Sequence, residues 1–232
     1  MPAARNVTVV LVHGAWADAS SWSRVITLLQ ARGVPVVAVQ NPTTSLADDV
    51  AATRQTLAQI DGPVVLAGHS WGGTVITEAG SAANVEALVY VAAFAPNAGE
   101  STGDQVARHE APPGLGEVKP FGDGFLKMSV EGWIRNVAQD LPEAEARVLA
   151  ATQPPLGQAT FADKVGTPAW TSRPNWYVIS ADDRAVSVAL QRELATQLKA
   201  KTTELKASHV SLLSQPAAVA DVILDAVASV AA

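Results

Sequence analysis

The chain has 232 residues, 48% hydrophobic and 16% charged, which suits one sizeable core with a modest insertion and excludes a disordered chain. Its net charge of −6, with 16 scattered Lys and Arg, offers no basic patch for nucleic acid, and a cysteine count of 0 excludes disulfides, thiolate catalysis and Cys-based zinc. A short polar start, and no run approaching the roughly 20 apolar residues of a membrane span, read as a cytoplasmic chain with no membrane partner.

Residues 7–12 form a continuous β-branched apolar run ended by Gly14, the pattern of a strand buried on both faces. Residues 20–32 read as a helix, with Ser20 or Ser21 to cap it, Val25, Ile26, Leu28 and Leu29 as its apolar side and Gly33 as its stop. A second strand (34–39) and helix (46–60) follow, then Asp61, Gly62 and Pro63 as a turn. Strand 64–67, helix 71–83 and strand 85–92 continue the alternation. Strands alternating with helices predict an α/β fold with a parallel sheet covered on both sides. From 97 to about 170 the chain is rich in Pro and Gly and lacks strand signals, with helices expected near 129–138 and 143–151. Strand 176–180, a helix near 187–199, a short strand near 202–205 and a helix over 216–230 close the chain. The expected architecture is a mostly parallel sheet of about six strands flanked by helices, with a core over 1–96 and 171–232 and a helical cap insertion over 97–170.

The most informative stretch is Gly68, His69, Ser70, Trp71, Gly72, a G-x-S-x-G pattern between a predicted strand and a predicted helix. A turn that tight leaves no room for side chains two residues before and after the serine, which glycine resolves. The hydroxyl then stands at a helix N-terminus, where free N–H groups and the helix dipole favour negative charge. A serine hydroxyl is a weak nucleophile without a base. Of the four histidines, His13 and His69 lie beside the motif loops, and His109 falls in a charged run of the insertion and reads as solvent-exposed. His209, between the last strand and the last helix, is the candidate base. The imidazole needs a carboxylate, and strand 176–180 is followed by Asp182 and Asp183, in the chain order Ser, acid, His. The residues alone do not choose between the two aspartates. An oxyanion hole needs two backbone N–H groups. One is that of Trp71, and the other should come from the loop His13, Gly14, Ala15, Trp16.

These residues resemble the α/β-hydrolase superfamily across nearly the whole chain. More narrowly, residues 10–15, 68–73 and 91–96, with the Asp–Arg loop and Ser208–His209, resemble the methylesterase and hydroxynitrile lyase branch and its bacterial esterase relatives. The resemblance implies Asp183 as the catalytic acid, with Asp182 as runner-up, and Ala15 N–H as the second oxyanion donor beside Trp71. It implies a carboxylic ester as substrate, an acyl-enzyme, and no cofactor or metal. Lyases of this branch usually carry Thr after the first-strand His and Lys after the catalytic His. Here those positions are Gly14 and Val210, which favours hydrolysis.

The insertion is expected to shield Ser70 from water and to shape the pocket. Trp16, Phe94 and Trp133 are the candidate substrate contacts, with Trp71, Phe121, Phe125 and Leu126 as further lining candidates. Such a lining suits hydrophobic or aromatic esters, and Arg184 reads as a loop anchor. An amidase or carbamate hydrolase, a lactonase, a lyase and a non-catalytic small-molecule receptor are the competing readings. The expected partner is a small molecule, and a homodimer is the assembly left open.

Overall fold

Residues 6–232 are described by the computed structural model, so the short polar start, apart from Asn6, lies outside them. The first apolar run forms β1 (Thr8–Val12), with Val9, Val10, Leu11 and Val12 all fully buried. The alternation continues with α1 (Ser23–Ala31), β2 (Val36–Val39), α2 (Leu46–Leu57), β3 (Val64–His69), α3 (Trp71–Ala79) and β4 (Val85–Val91). The chain then passes through α4 (Thr102–Val106), β5 (Val118–Pro120), β6 (Phe125–Met128), α5 (Val130–Gly132), α6 (Glu143–Thr152) and β7 (Leu156–Gly157). It ends with β8 (Asn175–Ser180), α7 (Val188–Gln197), β9 (Lys201–Leu205), α8 (Ser211–Ser214) and α9 (Pro216–Ala231).

The main sheet has six strands in the order β2-β1-β3-β4-β8-β9, all parallel. Side chains alternate across a strand, so its two faces build two apolar layers. Val9, Leu11, Val65 and Val89 pack with Leu29 of α1 and Ile223 of α9. Val10, Val12, Leu66 and Leu88 pack with Ile76 of α3 and Leu194 of α7. Strand order reverses between β1 and β3, so the loops leaving their C-terminal ends diverge and open a crevice there. Both of the first two sequence motifs leave at that crevice.

Two sequence expectations change. The helix expected at 20–32 begins as a 3₁₀ turn, Ala19–Trp22, and its cap is Asp18. Asp18 Oδ1 accepts from Ser20 N at 2.7 Å, because the extended residue before the first turn is the one whose side chain reaches back. The insertion is not helical throughout: β5, β6 and β7 form a small antiparallel sheet. Each of these strands is four residues or fewer and β5 contains Lys119 and Pro120, so no period of two is readable. The helix expected at 129–138 is α5 continued by a π-helical turn, Trp133–Val137. Among the described residues, no helix is long and apolar enough to cross a membrane.

Candidate active site

Ser70 sits at the N-terminus of α3 with φ 52° and ψ −119°, a conformation that a residue bearing a Cβ rarely adopts. The glycines around it make this turn feasible. A Cβ on Gly68 would lie 2.5 Å from the Gly72 carbonyl oxygen, and one on Gly72 would lie 2.5 Å from the Val12 carbonyl oxygen at the end of β1. The turn is tied to β4 by Ser70 N donating to Val91 O at 3.1 Å. After β4 the segment continues through Ala92 and Ala93 to Phe94, and the buried Tyr177 hydroxyl holds it by donating to Ala93 O and accepting from Ala93 N. Burial raises the Tyr177 phenol well above its ordinary range, so it stays a neutral pin.

The loops after β8 and β9 bring Asp183 and His209 together, with His209 Nδ1 2.7 Å from Asp183 Oδ2. Facing a carboxylate, Nδ1 carries the hydrogen, which leaves Nε2 as the acceptor. Asp183 Oδ1 accepts from Ala185 N (2.8 Å) and Val186 N (2.9 Å). Its Oδ2 also accepts from Gln191 Nε2 at 2.8 Å, while Gln191 Oε1 accepts from Ser180 N at 3.0 Å. The amide orientation is therefore set by its partners: only an NH₂ fits a carboxylate and only an oxygen fits an N–H. Asp182 is exposed, and its contribution is backbone: its carbonyl accepts from Gln139 Nε2.

His69 lies behind His209, ring centroids 4.6 Å apart, and its Nε2 donates to the His209 carbonyl oxygen at 2.9 Å. Burial first, then the neighbouring His209, depress the His69 pKa well below the ordinary imidazole range, so His69 is neutral packing. His13 Nε2 accepts from Asn41 N at 3.0 Å, so its Nδ1 donates to Gly14 O at 2.9 Å and shapes the loop that follows β1. Burial lowers the His13 pKa too. His109, read as solvent-exposed, is instead half-buried and bonded to Glu193 Oε2 at 2.7 Å, because α7 brings that carboxylate to it.

Ser70 and His209 line one cavity together with Ala15 and Trp71. No hydrogen bond joins the Ser70 hydroxyl to His209, and contacts of this kind commonly tighten only with substrate in place. The backbone N–H groups of Ala15 and Trp71 have no acceptor among the described residues. Trp16, Phe94 and Trp133 line the same cavity, and Trp16 Nε1 donates to Leu126 O at 3.0 Å, tying the loop after β1 to the insertion. The insertion adds Val118, Met128, Leu149 and Leu156. No Lys or Arg among the described residues belongs to the lining, and Arg184 turns away to donate to Arg135 O at 3.3 Å. Phe121 is corrected: it is 50% exposed, with Lys127 Nζ 4.3 Å above its ring, and does not line the cavity. Phe125 and Leu126 are half-buried in β6 and do not line it either, because that hairpin presents Met128 instead.

Gln191 and Asp49 are two buried polar residues behind this site that the sequence alone did not single out. Each sits on the buried face of its helix, Gln191 beside Leu190 and Leu194, Asp49 beside Leu46 and Val50. A polar residue at an apolar-face position was the readable signal.

A strained serine between strand and helix, a buried histidine–carboxylate pair and a parallel sheet define an α/β hydrolase. The chain belongs to the Alpha/beta hydrolase family, whose profile matches residues 9–222. It is 26% identical over 245 residues to "Alpha/beta hydrolase nvfD" of Aspergillus novofumigatus, covering 94% of this chain and 95% of that protein. Its fold is similar to that of a pyrethroid hydrolase from Sphingobium faniae, with a TM-score of 0.81 at 22% identity over 95% of this chain and 97% of that one. A methylesterase from Arabidopsis gives a TM-score of 0.79 at 21% identity, covering 96% of this chain and 99% of that one.

Proposed function

We propose that the chain hydrolyses carboxylic esters through an acyl-enzyme on Ser70. The observation that carries this reading is the 2.7 Å contact of Asp183 with His209 Nδ1 beside the cavity that Ser70 lines. His209 Nε2 takes the Ser70 proton as the hydroxyl attacks the carbonyl carbon. The Ala15 and Trp71 N–H groups, which have no acceptor of their own, receive the oxyanion. His209 then protonates the departing alcohol, and water activated by the same imidazole releases the acid. Asp183 orients the ring through its bond to Nδ1. Trp16, Phe94 and Trp133 contact the substrate, and a lining without Lys or Arg supports an uncharged ester with hydrophobic or aromatic groups. The relatives named for ester or pyrethroid hydrolysis agree with this chemistry. Val210, buried and lining the cavity where lyases of the branch carry Lys, speaks against cyanide release.

Turnover of short and aromatic p-nitrophenyl esters tests the proposal. Ser70→Ala is expected to lower kcat by about 10³-fold or more. Unchanged turnover in that variant would overturn it, and a bound ligand with no acyl-enzyme by mass spectrometry would favour a receptor.

A further inference from the structure

Asp49 is buried completely, and no Lys, Arg or His among the described residues pairs with it. An ionised carboxylate in such a place is expensive unless N–H donors satisfy it. Two do. Trp71 Nε1 donates to Oδ2 at 2.7 Å, and Thr43 N donates to Oδ1 at 2.7 Å. Trp71 follows the candidate nucleophile and is one of the residues lining the cavity. Thr43 has a positive φ of 57° and grips the insertion on its other side. Its carbonyl accepts from Gly157 N at 2.7 Å, and its hydroxyl donates to Pro155 O at 2.9 Å. Between those two residues Leu156 lines the cavity.

We propose that Asp49 is a positioning residue whose carboxylate locks the Trp71 indole to the Thr43 loop, and so fixes the spacing between the nucleophile turn and the wall of the cavity that the insertion supplies. This rests on the reading of Ser70 as nucleophile. Each Asp49 oxygen faces an N–H, so a proton on either one weakens a bond that holds the site. Burial pushes the Asp49 carboxyl up to about 6, against the opposing effect of its two donors. The charged groups around it are few. Asp48, its exposed neighbour, adds to the upward push. Asp163 of the insertion accepts from Leu46 N at 2.8 Å, and Arg54 turns to the Glu78 carbonyl at 3.1 Å rather than to Asp49.

The test is Asp49→Asn in the full chain, whose amide can accept one of the two bonds but presents NH₂ to the other donor. In the wild type, the Trp71 indole ¹H–¹⁵N resonance, assigned by its loss in Trp71→Phe, should shift with an inflexion near pH 6. Asp49→Asn should abolish that shift and lower kcat on a p-nitrophenyl ester about tenfold, the cost of one charged hydrogen bond, with KM within about threefold and Tm not reduced. If Asp49→Asn does not fold, Trp71→Phe removes the same bond from the other side and should give the same fall in kcat. An indole resonance that does not titrate, or kcat within twofold of wild type in the folded variant, overturns the proposal. The indole titration does not depend on turnover, so it survives if Ser70→Ala shows the hydrolase reading to be wrong.

Discussion

Asp183 spends all of its accepting capacity on four donors, two backbone N–H groups and the side chains of His209 and Gln191, and Gln191 is the one that a single substitution can remove without touching the backbone or the candidate base. Gln191→Ala frees Oδ2 to swing away from His209 Nδ1 and leaves Ser180 N without its acceptor. The expected result is a fall of roughly tenfold or more in kcat/KM, the scale of one hydrogen bond to a charged group. Gln191→Glu should lose more, since it sets a second carboxylate against the first. Steady-state kinetics with Tm measured alongside distinguishes displacement of the carboxylate from global damage. The meeting of Ser70 and His209 at one cavity was legible at this scale because their motif and chain order carry information in few residues. Asp183 needed family resemblance to separate it from Asp182, since the two are adjacent and chemically alike. Gln191 and Asp49 gain their meaning only from what α7 and α2 pack against.

Among the elements, the strand–turn–helix around Ser70 has little tolerance. Gly72→Ala would place a Cβ 2.5 Å from a backbone oxygen of β1, which cannot move without breaking its pairing with β2 and β3. That variant is expected to lose activity and to unfold at lower denaturant, read as a shift in urea midpoint. By contrast, α9 lies on the far layer of the sheet, so Ile223→Ala should cost ~2–5 kcal/mol of stability while leaving kcat per folded molecule unchanged. Of the main-sheet strands, β1 and β3 were the most readable, because residues buried on both faces are apolar almost without interruption. The hairpin β5–β6 was not, because Val118, Lys119 and Pro120 owe their strand conformation to pairing with Leu126, Lys127 and Met128 rather than to any pattern of their own.

Asp49 makes a contribution of its own to the pH response of the molecule, opposed by the buried His13 and His69, whose lowered pKa values make the folded state lose stability as pH falls. Asp49 is harder to ionise folded than unfolded, with a value raised from 3.8 to about 6. The folded state therefore holds the extra proton between these values, and stability from this group rises as pH falls from about 6 towards 4 and is flat above 6. At ~1.4 kcal/mol for each pH unit, the ionised group costs on the order of 3 kcal/mol at pH 7. Exposed carboxylates such as Asp104, lowered by its Lys164 and Ser101 partners, act in the opposite direction. The comparison that isolates Asp49 is therefore wild type against Asp49→Asn. Their urea midpoints at pH 5 and 7.5 should show the wild type gaining on the variant at the lower pH.

The absence of Lys and Arg from the cavity lining also bears on what happens after cleavage. Under the proposed ester hydrolysis, a neutral ester would enter an apolar chamber at little electrostatic cost, but the reaction would convert its acyl half into an anion with no Lys or Arg of the described residues to meet it. On that reading the acid would be ejected by the surroundings that welcomed its precursor, and the cycle would be driven forward at its last step. The free acid should inhibit only weakly, with a Ki at least about ten times the KM of its parent ester, equivalent to ~1.4 kcal/mol of lost affinity. Progress curves run to completion with added product acid measure this. Strong inhibition by the acid would mean that a positive group reaches the chamber during turnover.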